Sequence, residues 1–172
     1  MNPQVMFYIL PESAPQASGE LTITSEQAVW RQACIEAAKC YRNNQRVFIY
    51  TPNQEAAHQI DELLWSFDPD SFIPHNLVGE GPKSGAAVEI SWQAPTSRRP
   101  VLINLTDQIP NFGSNYSQII DFVPSDEAKK QLARERFKTC RQYGLQVETQ
   151  QVTLPSTQTA TINENTSATP SS

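Results

Sequence analysis

The sequence predicts an α/β fold, a three-layer sandwich around a mainly parallel, partly mixed central sheet. Three observations lead there. Short, largely apolar segments recur at residues 5–10, 46–51, 101–106 and 117–123, as strands buried on both faces require. Capped amphipathic segments stand between several of them. The order strand, helix, strand, helix in the first half is the pattern of parallel strands joined by right-handed crossovers.

Taken in order, VMFYIL (5–10) ends at Pro11, and a polar loop follows to Gly19. Thr24 or Ser25 can cap a helix that runs to about Asn43, with Trp30, Ala33, Cys34, Ala37 and Tyr41 at helical spacing. RVFIYT (46–51) is the second buried strand. Pro52-Asn53 opens a helix whose apolar side is Ala56, Ala57, Ile60, Leu63 and Leu64, ending near Trp65. Pro69, Pro74, Pro82 and nearby glycines make 68–85 a long irregular connection, flanked by Trp65, Phe72 and Leu77, which read as exposed. Residues 88–92 alternate as a strand does, and 94–100 form a turn carrying Arg98-Arg99. After the strands at 101–106 and 117–123, residues 145–154 alternate as a terminal strand at an edge.

The last helix carries most of the functional signal. Pro124 closes the strand before it, Ser125 and Asp126 are N-cap types, and Gly144 is a natural C′ residue. Six of the 13 lysines and arginines fall between Lys129 and Arg141. At about 100° per residue, Lys130, Arg134, Phe137, Lys138 and Arg141 share one face. Four cations around one aromatic ring suit an anion that carries an apolar group; a solvated helix face is the competing reading. Ala128, Leu132, Cys140 and Tyr143 are expected to face the core. Arg136 projects near that stripe and calls for a carboxylate partner, because an unpaired buried charge is costly.

Composition sets the outer bounds. Residues 1–154 form a single domain of ordinary size. Residues 155–172 are nearly all Ser, Thr, Asn, Gln and Ala, and cannot offset their ordering entropy, so they read as a disordered tail. No secretory signal and no apolar stretch of about 20 residues is present, so a soluble, cytoplasmic protein is expected. The three cysteines (Cys34, Cys40, Cys140) follow no metal or disulfide spacing, and Cys34 and Cys140 read as small core residues. A net charge of −5 argues against bulk nucleic-acid binding, so direct contact with nucleic acid is expected to be weak or absent.

Catalytic and cofactor chemistry finds no residues to carry it. A phosphate loop needs donors before its Lys-Ser pair and a helix after it; GEGPKS (79–84) has Pro82 before Lys83, and an extended segment follows. The dinucleotide GxGxxG pattern is absent after the first strand, so the fold is expected to be Rossmann-like without a nucleotide site. His58 and His75 lack a second ligand at metal spacing and read as structural, and Asp61-Glu62 reads as a solvated face. No cofactor, no metal and no catalytic residue is expected.

Two stretches taken together resemble one family, the chi subunit of bacterial DNA polymerase III, an accessory protein of the clamp-loader complex. DELLWSFDPDSFIPHNLVGEGPKSGAAVEISW resembles its Leu-Trp helix end and Phe-x-Pro-His-Asn-Leu-x-Gly-Glu-Gly loop. IIDFVPSDEAKKQLARERFKTCRQYG resembles its Asp-Phe-Val-Pro turn and Leu-Ala-Arg-Glu-Arg helix. The resemblance covers about residues 5–154. It implies a non-enzymatic adaptor of the bacterial cytoplasm, with the psi subunit on one side and the acidic C-terminal tail of single-stranded DNA-binding protein on the other. By position it assigns the tail to Lys130, Arg134, Phe137, Lys138 and Arg141, the row that helical spacing also selects. Phe137 stands where the family often has tyrosine, which keeps a ring contact and loses a hydroxyl. The psi side would use Trp65, Phe72, Ile73, Pro74 and Leu77, a face for which a helicase is a further candidate partner. Two other readings compete. One is a degenerate nucleotide-binding or helicase-like enzyme of parallel α/β fold. The other is direct DNA binding through Arg98-Arg99 and the ridge.

Overall fold

The computed structural model describes residues 3–11, 24–68, 72–78, 85–95 and 98–152. The tail at 155–172 and the 79–84 segment lie outside the described residues. Elements run β1 (Gln4–Ile9), α1 (Ser25–Arg42), β2 (Val47–Tyr50), α2 (Gln54–Ser66), β3 (His75–Leu77), β4 (Val88–Ser91), β5 (Val101–Asn104), β6 (Gln118–Val123), α3 (Glu127–Gln142) and β7 (Gln146–Gln151). A 3₁₀ turn, Asn111–Asn115, interrupts the loop before β6.

The strands form one seven-stranded sheet in the order β3-β4-β2-β5-β6-β1-β7. Every described pair is parallel, so the antiparallel admixture allowed for above is absent from these strands. Alternate residues of each central strand go to opposite faces, which makes the three layers. Val47, Ile49, Val101, Ile103 and Ile120 join the cluster under α1 and α2. Phe48, Leu102 and Ile119 join a second cluster with Val5, Phe7 and Cys140 of α3. All three cysteines are free and buried.

Caps fall where side-chain chemistry places them. Thr24 caps α1 and, with Gln27, forms a reciprocal capping box. The Asn53 side chain accepts from Ala56 N–H at α2, and Asp126 accepts from Lys129 N–H at α3. Gly144 takes φ +75° just beyond α3, as a C′ residue should. Gly85 has φ +79°, and a Cβ there would run into the Glu89 carboxylate and the Arg99 guanidinium, so this backbone needs glycine twice over.

Two local readings change. Within the connection at 68–85, His75–Leu77 pairs in parallel with β4 and becomes an edge strand. Residues 88–91 are buried on both faces, because β3 and β2 flank them and α2 packs above.

Arg136 has the partner its position demands. Its Nε donates to Asp121 Oδ2 at 2.9 Å, and its Nη2 donates to Asp121 Oδ1 at 3.0 Å and to the Phe122 carbonyl at 3.0 Å. The Asp121 carboxylate also accepts from Phe122 N–H at 2.6 Å and from the Asn104 amide at 3.3 Å. Burial pushes the Asp121 carboxyl up, and the Arg136 guanidinium, the first of these opposing groups, pulls it back. Removing one partner strands a buried charge. Arg136→Ala is therefore expected to cost about 3–5 kcal/mol in urea unfolding, and the double variant Asp121→Asn/Arg136→Met to recover most of that loss.

Candidate functional site

On α3 the buried stripe is Ala133, Arg136 and Cys140. This corrects the expected stripe: Ala128 is exposed, Leu132 is only partly covered, and Tyr143 is 71% exposed beyond the end of the helix. The shift follows from Arg136, whose bonds to Asp121 turn its side of the helix toward β6. The predicted ridge therefore lies along the flank of the buried stripe, at the boundary between core and solvent. Arg134, Lys138 and Arg141 are exposed, whereas Lys130 and Phe137 are half-buried.

Phe137 does two jobs. Its ring centroid lies 5.4 Å from that of Phe7, and it packs against the second core cluster. The Arg141 guanidinium carbon lies 5.8 Å from the same ring centre, in cation–π range. The ring is thus fixed from below by β1 and bordered by a cation. Lys130 Nζ lies 3.5 Å from the Glu127 carboxylate, and Arg134 donates to the Gln131 side chain at 3.2 Å. Both contacts are to exposed neighbours on the same helix and hold the side chains only weakly.

A second surface lies at the far end of α2. Trp65 is 58% exposed and Phe72 is 63% exposed, with ring centroids 5.6 Å apart. Pro74 is half-buried beside them, but Ile73 and Leu77, at 2% and 5% exposure, belong to the core. The five-residue face expected from the sequence therefore reduces to Trp65, Phe72 and the edge of Pro74, with Ile73 and Leu77 as its foundation. Leu77 is buried because β3 pairs with β4 and turns it under α2.

The residue that sequence reasoning undervalued is His75. Its Nδ1 lies 2.7 Å from the Ile73 carbonyl, and its Nε2 lies 3.1 Å from the Asp61 carbonyl and 3.4 Å from the Asp61 carboxylate. The Trp65 ring packs edge-on against it at 4.8 Å. A structural histidine was the expectation; what it ties together, the α2 backbone to the Phe72 segment, needed the fold. Asp61 is accordingly part of this tie and not of a solvated face.

A cleft of about 370 Å³ opens at the carboxyl ends of β5 and β6, where sheets of this kind hold ligands. The Asp121–Arg136 pair lines it, so its principal charges are already matched. His58 sits on the outer side of α2, near Gln54 and Trp92. Among the described residues no group of three metal-ligating side chains occurs, and no helix is long and apolar enough to cross a membrane.

Residues 2–148 match the family described as DNA polymerase III chi subunit, HolC. The chain is 39% identical over 145 residues to DNA polymerase III subunit chi of Escherichia coli, covering 83% of this chain and 94% of that protein. It is 42% identical over 148 residues to the subunit of the same name in Haemophilus influenzae, covering 85% and 95%. Against the Pseudomonas aeruginosa subunit it is 30% identical over 141 residues, covering 82% and 91%.

The burial difference within the aromatic surface has a measurable consequence. Ile73→Ala should lower the unfolding free energy by about 2–5 kcal/mol, as core truncations do. Trp65→Ala should change it by less than about 1 kcal/mol in the same urea titration, because most of that ring already faces water.

Proposed function

The chain belongs to the DNA polymerase III chi-subunit family, and on that premise we propose that it is a non-catalytic replication adaptor of the bacterial cytoplasm. It joins the psi subunit of the polymerase complex to the acidic C-terminal tail of single-stranded DNA-binding protein. The observation that carries this reading is the ridge on α3, where a half-buried ring is bordered by exposed cations.

The ridge suits a peptide that ends in an apolar residue with a free carboxylate. Arg134, with only a glutamine contact, offers a two-bonded grip to a carboxylate. Lys130 and Lys138 attract upstream acids as point charges. Phe137 presents a ring held by Phe7, so a terminal aromatic packs on it without first ordering it; such pairs contribute about 0.5–1.5 kcal/mol beyond area. The psi subunit, or a helicase in its place, docks on Trp65 and Phe72, the kind of clustered aromatic anchors that dominate interfaces. No cofactor takes part, and the protein does not enter a membrane.

Fluorescence anisotropy with a labelled acidic tail peptide tests the ridge. Amidating the peptide's C-terminus should weaken binding, and so should added salt, since exposed charges are screened. Arg134→Ala should cost about tenfold or more, the loss expected when a bond to a charged group is removed, and Lys138→Ala should cost less. Co-purification with psi should survive both and be lost in Trp65→Ala. Equal binding of the free and amidated peptides would rule out carboxylate capture.

A further inference from the structure

Arg98 and Arg99 are used by neither surface. They stand just before the central strand β5, at the amino ends of the strands and so away from the N-terminus of α3, which follows the carboxyl end of β6. With Ser114, Asn115, Tyr116 and Ser117 they line a cleft of about 490 Å³, and among the described residues no acidic one lines it. Arg99 is buried. Its Nη1 donates to the Ala86 and Ala87 carbonyls at 2.8 and 3.0 Å. Its Nη2 is ion-paired with the Glu89 carboxylate at 2.9 Å. Arg99 Nε and the Tyr116 hydroxyl are buried without a hydrogen-bond partner.

Buried polar atoms of a native protein nearly always have partners, and an orphan costs about 1–3 kcal/mol. The Arg99 Nε can only donate. The phenol keeps its proton to donate as well, because burial pushes it up to about 12. The missing partner is therefore an acceptor. A lone water would serve the buried atoms but has no use for the exposed Arg98 guanidinium at the mouth, nor for the Ser114 and Asn115 side chains beside it.

We propose that this cleft binds a phosphate group, either a free phosphate or a phosphodiester of a nucleic-acid strand. Arg98 holds it from outside, and Arg99 Nε and the Tyr116 hydroxyl receive an oxygen from within, the exposed turn at 114–115 parting to admit it. Glu89 already offsets part of the Arg99 charge, so binding is moderate and falls with salt. The site is separate from the α3 ridge and does not depend on the adaptor reading.

Calorimetric titration of the full chain with inorganic phosphate, at ionic strength fixed with chloride, tests it. The expected result is saturable binding that Arg98→Ala and Tyr116→Phe each weaken by about tenfold and that Arg134→Ala leaves unchanged. Tyr116→Phe keeps the ring that packs near Phe112, so its melting curve should stay cooperative. A second titration uses oligothymidylate. Tighter binding than inorganic phosphate, lost in Arg98→Ala, assigns the strand phosphodiester; no gain over inorganic phosphate assigns a small phosphate. Absence of saturable binding with both probes overturns the site, as does binding that Arg98→Ala and Tyr116→Phe leave intact.

Discussion

A single buried ion pair sets the geometry on which the rest of the molecule depends. Asp121 within β6 and Arg136 within α3 meet through two hydrogen bonds, and both are buried. Desolvating two charges is costly, and a pair of this kind is often no more stabilising than apolar residues of similar volume. Its contribution is direction. The planar guanidinium must lie in the plane of the carboxylate, so α3 has little freedom to rotate about its axis. That rotation decides which residues line the flank: Phe137 against Phe7, with Arg134, Lys138 and Arg141 facing water. An apolar side chain at position 136 would pack against β6 without fixing that angle.

The aromatic surface is held by an analogous device. Trp65 and Phe72 are separated by a proline-containing segment, and the exposed rings alone would not fix their spacing. His75, with a backbone oxygen within hydrogen-bond range of each ring nitrogen and its ring packed against Trp65, joins α2 to the strand that follows Phe72. Ile73 and Leu77 then anchor that segment in the core. Each candidate surface is thus a small number of exposed groups over a buried polar tie.

Much of this was legible in the sequence, for identifiable reasons. The strands at 5–10, 46–51 and 101–106 are short, largely apolar segments without strict alternation, as burial on both faces of a sheet favours. Helix starts were legible from Thr24, Asn53 and Asp126, whose short side chains reach the free N–H groups of the first turn. Arg136 announced a carboxylate partner by its position alone. What was hidden depended on contacts distant in sequence. The β3 strand is three residues long and follows a proline, so periodicity has nothing to act on. Tyr143 has the right phase for the core but lies where α3 ends and the chain turns at Gly144. Ile73 and Leu77 share a loop with Phe72, and nothing local distinguishes the buried from the exposed; pairing with β4 does.

The topology adds a constraint that neither surface shows by itself. α2 packs on β3 and β4, and α3 packs on β6 and β7, on the opposite face. β3 and β7 are the two ends of the sheet. Six inter-strand steps of roughly 4.8 Å separate them, or about 29 Å across the sheet. Partners proposed for the ridge and for Trp65 and Phe72 would therefore not collide, and no side chain belongs to both surfaces. The parallel sheet between them is buried and hydrogen-bonded, a rigid element rather than a hinge. If both surfaces bind as proposed, their affinities should be independent, which is what the proposed adaptor needs in order to hold one partner while capturing and releasing another.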